Sequence, residues 1–119
     1  MNKETAIQFI HQLFANVWTP LDKTNLADYY HKDVVAHFGH QTAHYNDIVH
    51  RLEYVKHHFG SLKNDFKKIL VDGDEISVLL EQTLGESKKS YAIMAIYHIK
   101  EGKVSEMWAC IDPQINYFE

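Results

Sequence analysis

Apolar residues near the N-terminus recur at helical spacing. Ile7, Ile10, Leu13, Phe14 and Val17 fall three and four apart and mark one face of a helix. Pro20 stops it. Thr24 or Asp22 can cap a shorter helix, with Leu26, Tyr29 and Tyr30 on its buried side. Val34-Val35-Ala36-His37-Phe38 is short and rich in β-branched residues, so it predicts a strand that Gly39 breaks. A polar loop spans 40–46, where Asn46 or Asp47 can cap the next helix. That helix carries Ile48, Leu52, Val55 and Phe59 on one stripe and His50, Glu53 and His57 opposite. Gly60 is its stop.

Beyond Gly60 the period changes from helix to strand. Lys63 to Val71 predicts one strand, Asp72-Gly73 a hairpin turn, and Glu75 to Leu84 its partner. A loop over 85–89 leads to a strand from Ser90 to Ile99. Glu101-Gly102 turns the chain into a last strand, Val104 to Ile111, which Pro113 ends. Helices first and a meander of strands last predict an α+β fold: three N-terminal helices packed on a curved, mainly antiparallel sheet. Wrapped in this way, the sheet encloses a conical hollow suited to a small apolar ligand.

A chain of 119 residues predicts one domain over 1–119, large enough for a core without staples. The charge sum, 12 Lys+Arg against 16 Asp+Glu, is mildly acidic and argues against nucleic acid or anionic membrane as a partner. There is no apolar run that would span a bilayer, and the first residues do not resemble a signal peptide. The single cysteine, Cys110, fits a reducing cytoplasm.

Two patches resemble the SnoaL-like branch of the nuclear transport factor 2-like superfamily. They are Tyr30-His31-Lys32-Asp33-Val34-Val35-Ala36-His37-Phe38-Gly39 and Gly102-Lys103-Val104-Ser105-Glu106-Met107-Trp108-Ala109-Cys110-Ile111-Asp112. The resemblance spans residues 6 to 112 and implies a cone-shaped α+β barrel without a cofactor. The superfamily holds ketosteroid isomerases, polyketide cyclases, an epoxide hydrolase and domains that only bind or dimerise, so the residues in the cone must decide. The carboxylate base of the isomerases matches His37. The acid or histidine of the penultimate strand matches Ala95. The aspartate of the last strand matches Ala109, and the isomerase tyrosine falls near Ile10, where there is no phenol. Asp112 matches the family's closing aspartate and is expected to anchor the chain end.

His37 is thus the candidate general acid or base. With Ala95 and Ala109 facing the cone, a period of two adds Tyr91, Ile93, Tyr97, Met107 and Ile111 to its wall. Tyr91 or Tyr97 would hydrogen-bond a ligand carbonyl. Glu81, if inward, would pair with His37; which face of its strand is inward stays open. Trp108, Met94, Ile96 and Cys110 then lie on the opposite face, and an apolar outer face implies a homodimer through the sheet. His37, His40 and His44 lie on strand end and loop and complete no known zinc pattern, so no metal is expected. The expectation is a pocket binding a small apolar molecule with the family's catalytic carboxylates missing. The alternative is a cofactor-independent isomerase, cyclase or hydrolase, resembling the ketosteroid isomerases or polyketide cyclases, that uses His37 on a carbonyl or polycyclic substrate.

Overall fold

A computed structural model of the chain describes residues 1–86 and 90–111. Helix α1, Lys3–Leu13, starts where the Asn2 side chain accepts the Thr5 N–H at 2.8 Å. Its buried face is Ala6, Ile10 and Leu13. It runs into a wider π-helical turn, Phe14–Trp18, which buries Phe14, Val17 and Trp18. Asp22 caps a short 3-10 turn by accepting the Thr24 N–H at 2.9 Å. Helix α2, Leu26–Tyr29, is a single turn.

Helix α3, Tyr45–Phe59, follows His44 as its cap and so begins two residues earlier than a cap at Asn46 would have it and three earlier than one at Asp47. Asp47 sits inside the first turn and reaches back, its carboxylate accepting the His44 N–H at 2.8 Å. Ile48, Leu52 and Val55 are buried as the stripe predicts, and Arg51 is buried with them. Gly60, at φ +81, ends the helix with its N–H on the Lys56 carbonyl.

Six strands follow one another across one sheet in the order β2-β1-β6-β5-β4-β3. They are β1 Tyr30–Phe38, β2 Gln41–Ala43, β3 Leu62–Asp72, β4 Glu75–Leu84, β5 Ser90–Lys100 and β6 Lys103–Ile111. The strand predicted over 34–38 thus starts earlier, and the loop predicted over 40–46 contains β2, too short to carry an alternating pattern. Asp72 pairs with Glu75 and Lys100 with Lys103, so both hairpins close through two residues at Gly73-Asp74 and Glu101-Gly102. All neighbours are antiparallel except β1 and β6, which lie parallel. Register shifts in β1, β3 and β5–β6 bend the sheet around the helices. The sheet stays open between β2 and β3, so the barrel is a curved, unclosed one. Asp112, Pro113 and the loop residues 87–89 lie outside the described residues.

The core fills the concave side. On β4 the even positions Ile76, Val78, Leu80, Gln82 and Leu84 point inward; on β5 Ala95, Tyr97 and Ile99 do, and on β6 Val104, Met107 and Ala109. Gly85 joins sheet to helix: a Cβ there would stand 2.5 Å from the Phe59 carbonyl oxygen, so the backbone of the β4 end meets the end of α3 with no room for a side chain.

Candidate functional site

Ala95 and Ala109 are direct cross-strand partners on the inner face of β5 and β6. Two methyl groups side by side cannot fill the space under three helices. A hollow remains above them. Its sheet wall is Leu80 and Gln82 of β4, Ile93, Ala95 and Tyr97 of β5, and Met107, Ala109 and Ile111 of β6. Phe38 of β1 and Leu62 of β3 stand at its sides. Phe14 and Trp18 enter from the π-helical turn, and Arg51 and Val55 from α3. Inside its open mouth the hollow is a cavity of about 40 Å³. That interior holds a few waters at most as it stands, so a ligand must enter through the mouth and displace side chains.

Two phenols meet at one end. Trp18 Nε1 donates to the Tyr30 hydroxyl at 3.0 Å, and the Tyr30 O–H points at Met107 Sδ, 3.8 Å away. The Tyr97 hydroxyl also hydrogen-bonds Tyr30. Burial in apolar surroundings disfavours phenolate and pushes both groups well above the ordinary tyrosine value, against the opposing pull of the Arg51 charge. Both phenols are therefore protonated throughout the physiological range. Gln82 is buried, and its Nε2 donates to Asn64 Oδ1 at 2.8 Å; Asn64 in turn donates to Thr19 Oγ1 at 3.0 Å. The Arg51 guanidinium carbon lies 3.8 Å over the Phe38 ring, a close cation–π contact.

Six of the residues expected in the wall line the hollow: Ile93, Tyr97, Met107, Ile111, Ala95 and Ala109. Tyr91 shares their face but packs half-buried beside the core, opposite Gln82 and outside the lining. Glu81 is exposed on the outer face, because the inward places on β4 belong to the even positions. His37 is not in the hollow either. Register pairs Ala36 with Met107, His37 with Trp108 and Phe38 with Ala109. Paired residues share a face, so Phe38 looks into the hollow and His37 outward. There its ring stacks on Trp108, centroids 5.5 Å apart, and Nε2 sits 2.7 Å from Glu106 Oε2. Met94, Ile96 and Cys110 share that outer face and are exposed. Among the described residues no three His, Cys, Asp or Glu side chains stand together in a way that would hold a metal ion, His37, His40 and His44 included.

Arg51, Gln82, Phe38 and Trp18 are lining residues that the hydrophobic pattern alone did not single out. Arg51 had a signal: it lies three residues after Ile48 and four before Val55, inside the apolar stripe. Gln82 had one too, as the one polar member of an otherwise apolar even-numbered series.

The model of a family described as SnoaL-like domain matches residues 10–107. No curated protein matches the chain. Among solved structures, AclR of Streptomyces galilaeus, provisionally described as a hydroxylase, superposes with a TM-score of 0.81 at 19% identity, over 93% of this chain and 91% of its own. A SnoaL-like protein of Jannaschia sp. CCS1, provisionally described as a polyketide cyclase, gives 0.76 at 14%, over 89% and 84%. TerC, co-crystallised with polyporic acid, gives 0.74 at 16%, over 89% and 90%. At such identities the shared property is the fold.

Proposed function

Because the chain belongs to the SnoaL-like domain family, we propose that it binds a small, largely apolar molecule in the hollow above Ala95 and Ala109. The observation that carries this reading is the pair of alanines where bulkier side chains would close the core, facing an apolar wall with a few placed polar groups. Co-crystallisation of TerC, a protein of the same fold, with polyporic acid supports it.

Binding without proton transfer is the reading the lining favours. Its titratable groups among the described residues are Arg51 and Tyr97. A guanidinium is always protonated, and the Tyr97 phenol is held protonated by burial. Neither accepts a proton near neutral pH, so the described residues of the lining offer no general base. The isomerase-like or cyclase-like alternative relied on His37, which faces the other side of the sheet.

Thermal unfolding of the wild type with a panel of small aromatic and polycyclic compounds tests the reading. A binder raises stability as RT ln(1 + [L]/Kd), about 2.7 kcal/mol at a hundredfold excess over Kd. Ala95→Leu with Ala109→Leu fills the hollow and is expected to abolish that gain, while His37→Ala leaves it intact. Gains that survive the filled hollow, or product formed at a rate dependent on His37, would overturn it.

A second proposal rests on the other face. Met94, Ile96 and Trp108 are exposed there on adjacent strands, with Ile96 directly paired to Trp108. We propose that a second copy of the chain covers them, in a homodimer. Sedimentation is expected to give a dimer for the wild type and a monomer for Trp108→Glu; a wild-type monomer at high concentration would rule the pairing out. Among the described residues no helix is long and apolar enough to cross a membrane, and the exposed Cys110 thiol supports a cytoplasmic setting.

A further inference from the structure

Filling the hollow requires part of its wall to give way, because the space inside is about 40 Å³. The sheet wall is held firmly: β4, β5 and β6 each have a strand neighbour on both sides. Helix α3 is fifteen residues long and closed at both ends, by the Asp47–His44 contact and by Gly60. Phe14 and Trp18 are placed differently. Both sit on the five-residue π-helical turn Phe14–Trp18. They are 6% and 8% exposed, among the outermost members of the core.

Two features set that turn apart from the rest of the wall. The Thr19 N–H bonds the Phe14 carbonyl at 2.8 Å and the Asp22 N–H the Val17 carbonyl at 2.9 Å. Each reaches five residues back, where an α-helix reaches four. Between them Leu21 stands at φ +56, a left-handed conformation that is costly for a branched aliphatic residue. Leu21 is buried, so its surroundings hold it there. Three polar ties of the segment are exposed. Asn64 donates to Thr19 Oγ1 at 3.0 Å, Asn25 to the Asn16 carbonyl at 3.1 Å, and Asn16 to the Tyr29 hydroxyl at 2.6 Å. Water can replace each of these. The buried tie is Trp18 Nε1 to the Tyr30 hydroxyl at 3.0 Å.

We propose that this π-helical turn is the gate of the hollow. It relaxes to the four-residue reach of an α-helix, Leu21 leaves its left-handed conformation, and Trp18 turns out of the wall. The inference rests on the binding reading of the same hollow and names the element that admits the ligand. Shortening the reach by one residue rotates all that follows about the helix axis, and Trp18 is the last residue of the turn. Phe14 stays, because it continues the buried face of Ile10 and Leu13. Opening breaks the Trp18–Tyr30 bond and releases the strain at Leu21. The two effects oppose each other, so the turn exchanges between its two registers.

Hydrogen exchange of the full chain, without ligand and near neutral pH, tests the gate. The Trp18 Nε1–H and the Thr19 and Asp22 amides are expected to exchange in one step, about a hundredfold or more ahead of the Ala95, Tyr97 and Met107 amides. A variant lacking Ala15, an exposed residue of the turn, has no residue to spare for the wider reach. Its Trp18 N–H is expected to exchange with the strand amides. Wild-type Trp18 exchanging with the strands would overturn the gate. So would early exchange of Thr19 and Asp22 without Trp18, which is fraying that leaves the wall in place. Early Trp18 exchange that persists without Ala15 would overturn it too. The wild-type measurement decides by itself if the shortened chain fails to fold. Binding is read separately, from the stability gain with the aromatic panel. No gain there would overturn the binding reading, and with it the gate as a ligand entrance, whatever the order of exchange.

Discussion

Stability is expected to fall steeply above pH 10, because two phenols inside the fold keep protons that the unfolded chain gives up. Tyr30 and Tyr97 are both buried, and burial raises both above the ordinary value near 10. In the unfolded chain they ionise around pH 10. Below that pH both states hold the protons, and the phenols add no pH dependence. Above it the unfolded state has lost two protons that the folded state retains, so each further pH unit favours unfolding. The linkage slope is about 1.4 kcal/mol per pH unit for each phenol, or about 2.7 for the pair. Against a typical total of 5–15 kcal/mol, one to two pH units remove a large share of the stability of such a domain. Denaturant titrations at a series of pH values from 9 upward measure the slope. Tyr97→Phe is expected to halve the contribution of the pair. An unchanged slope in that variant would mean that the Tyr97 hydroxyl ionises freely within the fold.

Those two phenols also show what the sequence could and could not disclose. Tyr97 was legible because β5 alternates cleanly between apolar faces, and Ala95 and Ala109 through the positions they match in the family. The Glu101-Gly102 hairpin alone would set Ala95 opposite Trp108; the register shift between His98 and Ile99 brings it opposite Ala109. β1 is different. Val34-Val35-Ala36-His37-Phe38 is apolar on both faces, so period two does not say which face His37 takes. The answer lies in its parallel neighbour β6, some seventy residues away, where His37 stands beside Trp108. Trp108 reads correctly as outward from its own strand, and that placement is incompatible with an inward His37 once the register is known. A shift of one residue moves a whole strand's side chains to the opposite face. Glu81 was open for lack of one step, since its apolar neighbours at even positions already assign it outward. Arg51 escaped notice because charge normally marks the solvent side of a helix. Its burial is the feature that departs from that rule.

Trp18→Ala is expected to be the most damaging of the substitutions in the wall, and to be repairable from outside. Trp18 is 8% exposed and ends the π-helical turn that brings it over the hollow. Loss of a buried Trp side chain to Ala costs about 3–5 kcal/mol, from lost transfer free energy and the space left behind. The Tyr30 hydroxyl loses the Trp18 N–H but keeps Met107 and Tyr97 beside it, so packing dominates the loss. The space left has the shape of an indole ring and adjoins a hollow already open at its mouth. Indole added to the variant is therefore expected to refill it and restore about 2.7 kcal/mol at a hundredfold excess over Kd. Leu52→Ala supplies the contrast. Leu52 is fully buried on α3 but does not line the hollow, so a similar loss there opens a sealed void within the core. Chemical denaturation of both variants with and without indole separates the cases. Rescue confined to Trp18→Ala would show a hollow that exchanges with solvent through its mouth, as ligand binding requires. Equal rescue of both, or of neither, would mean that the space above Ala95 and Ala109 is ordinary core, and the binding proposal would lose its physical basis.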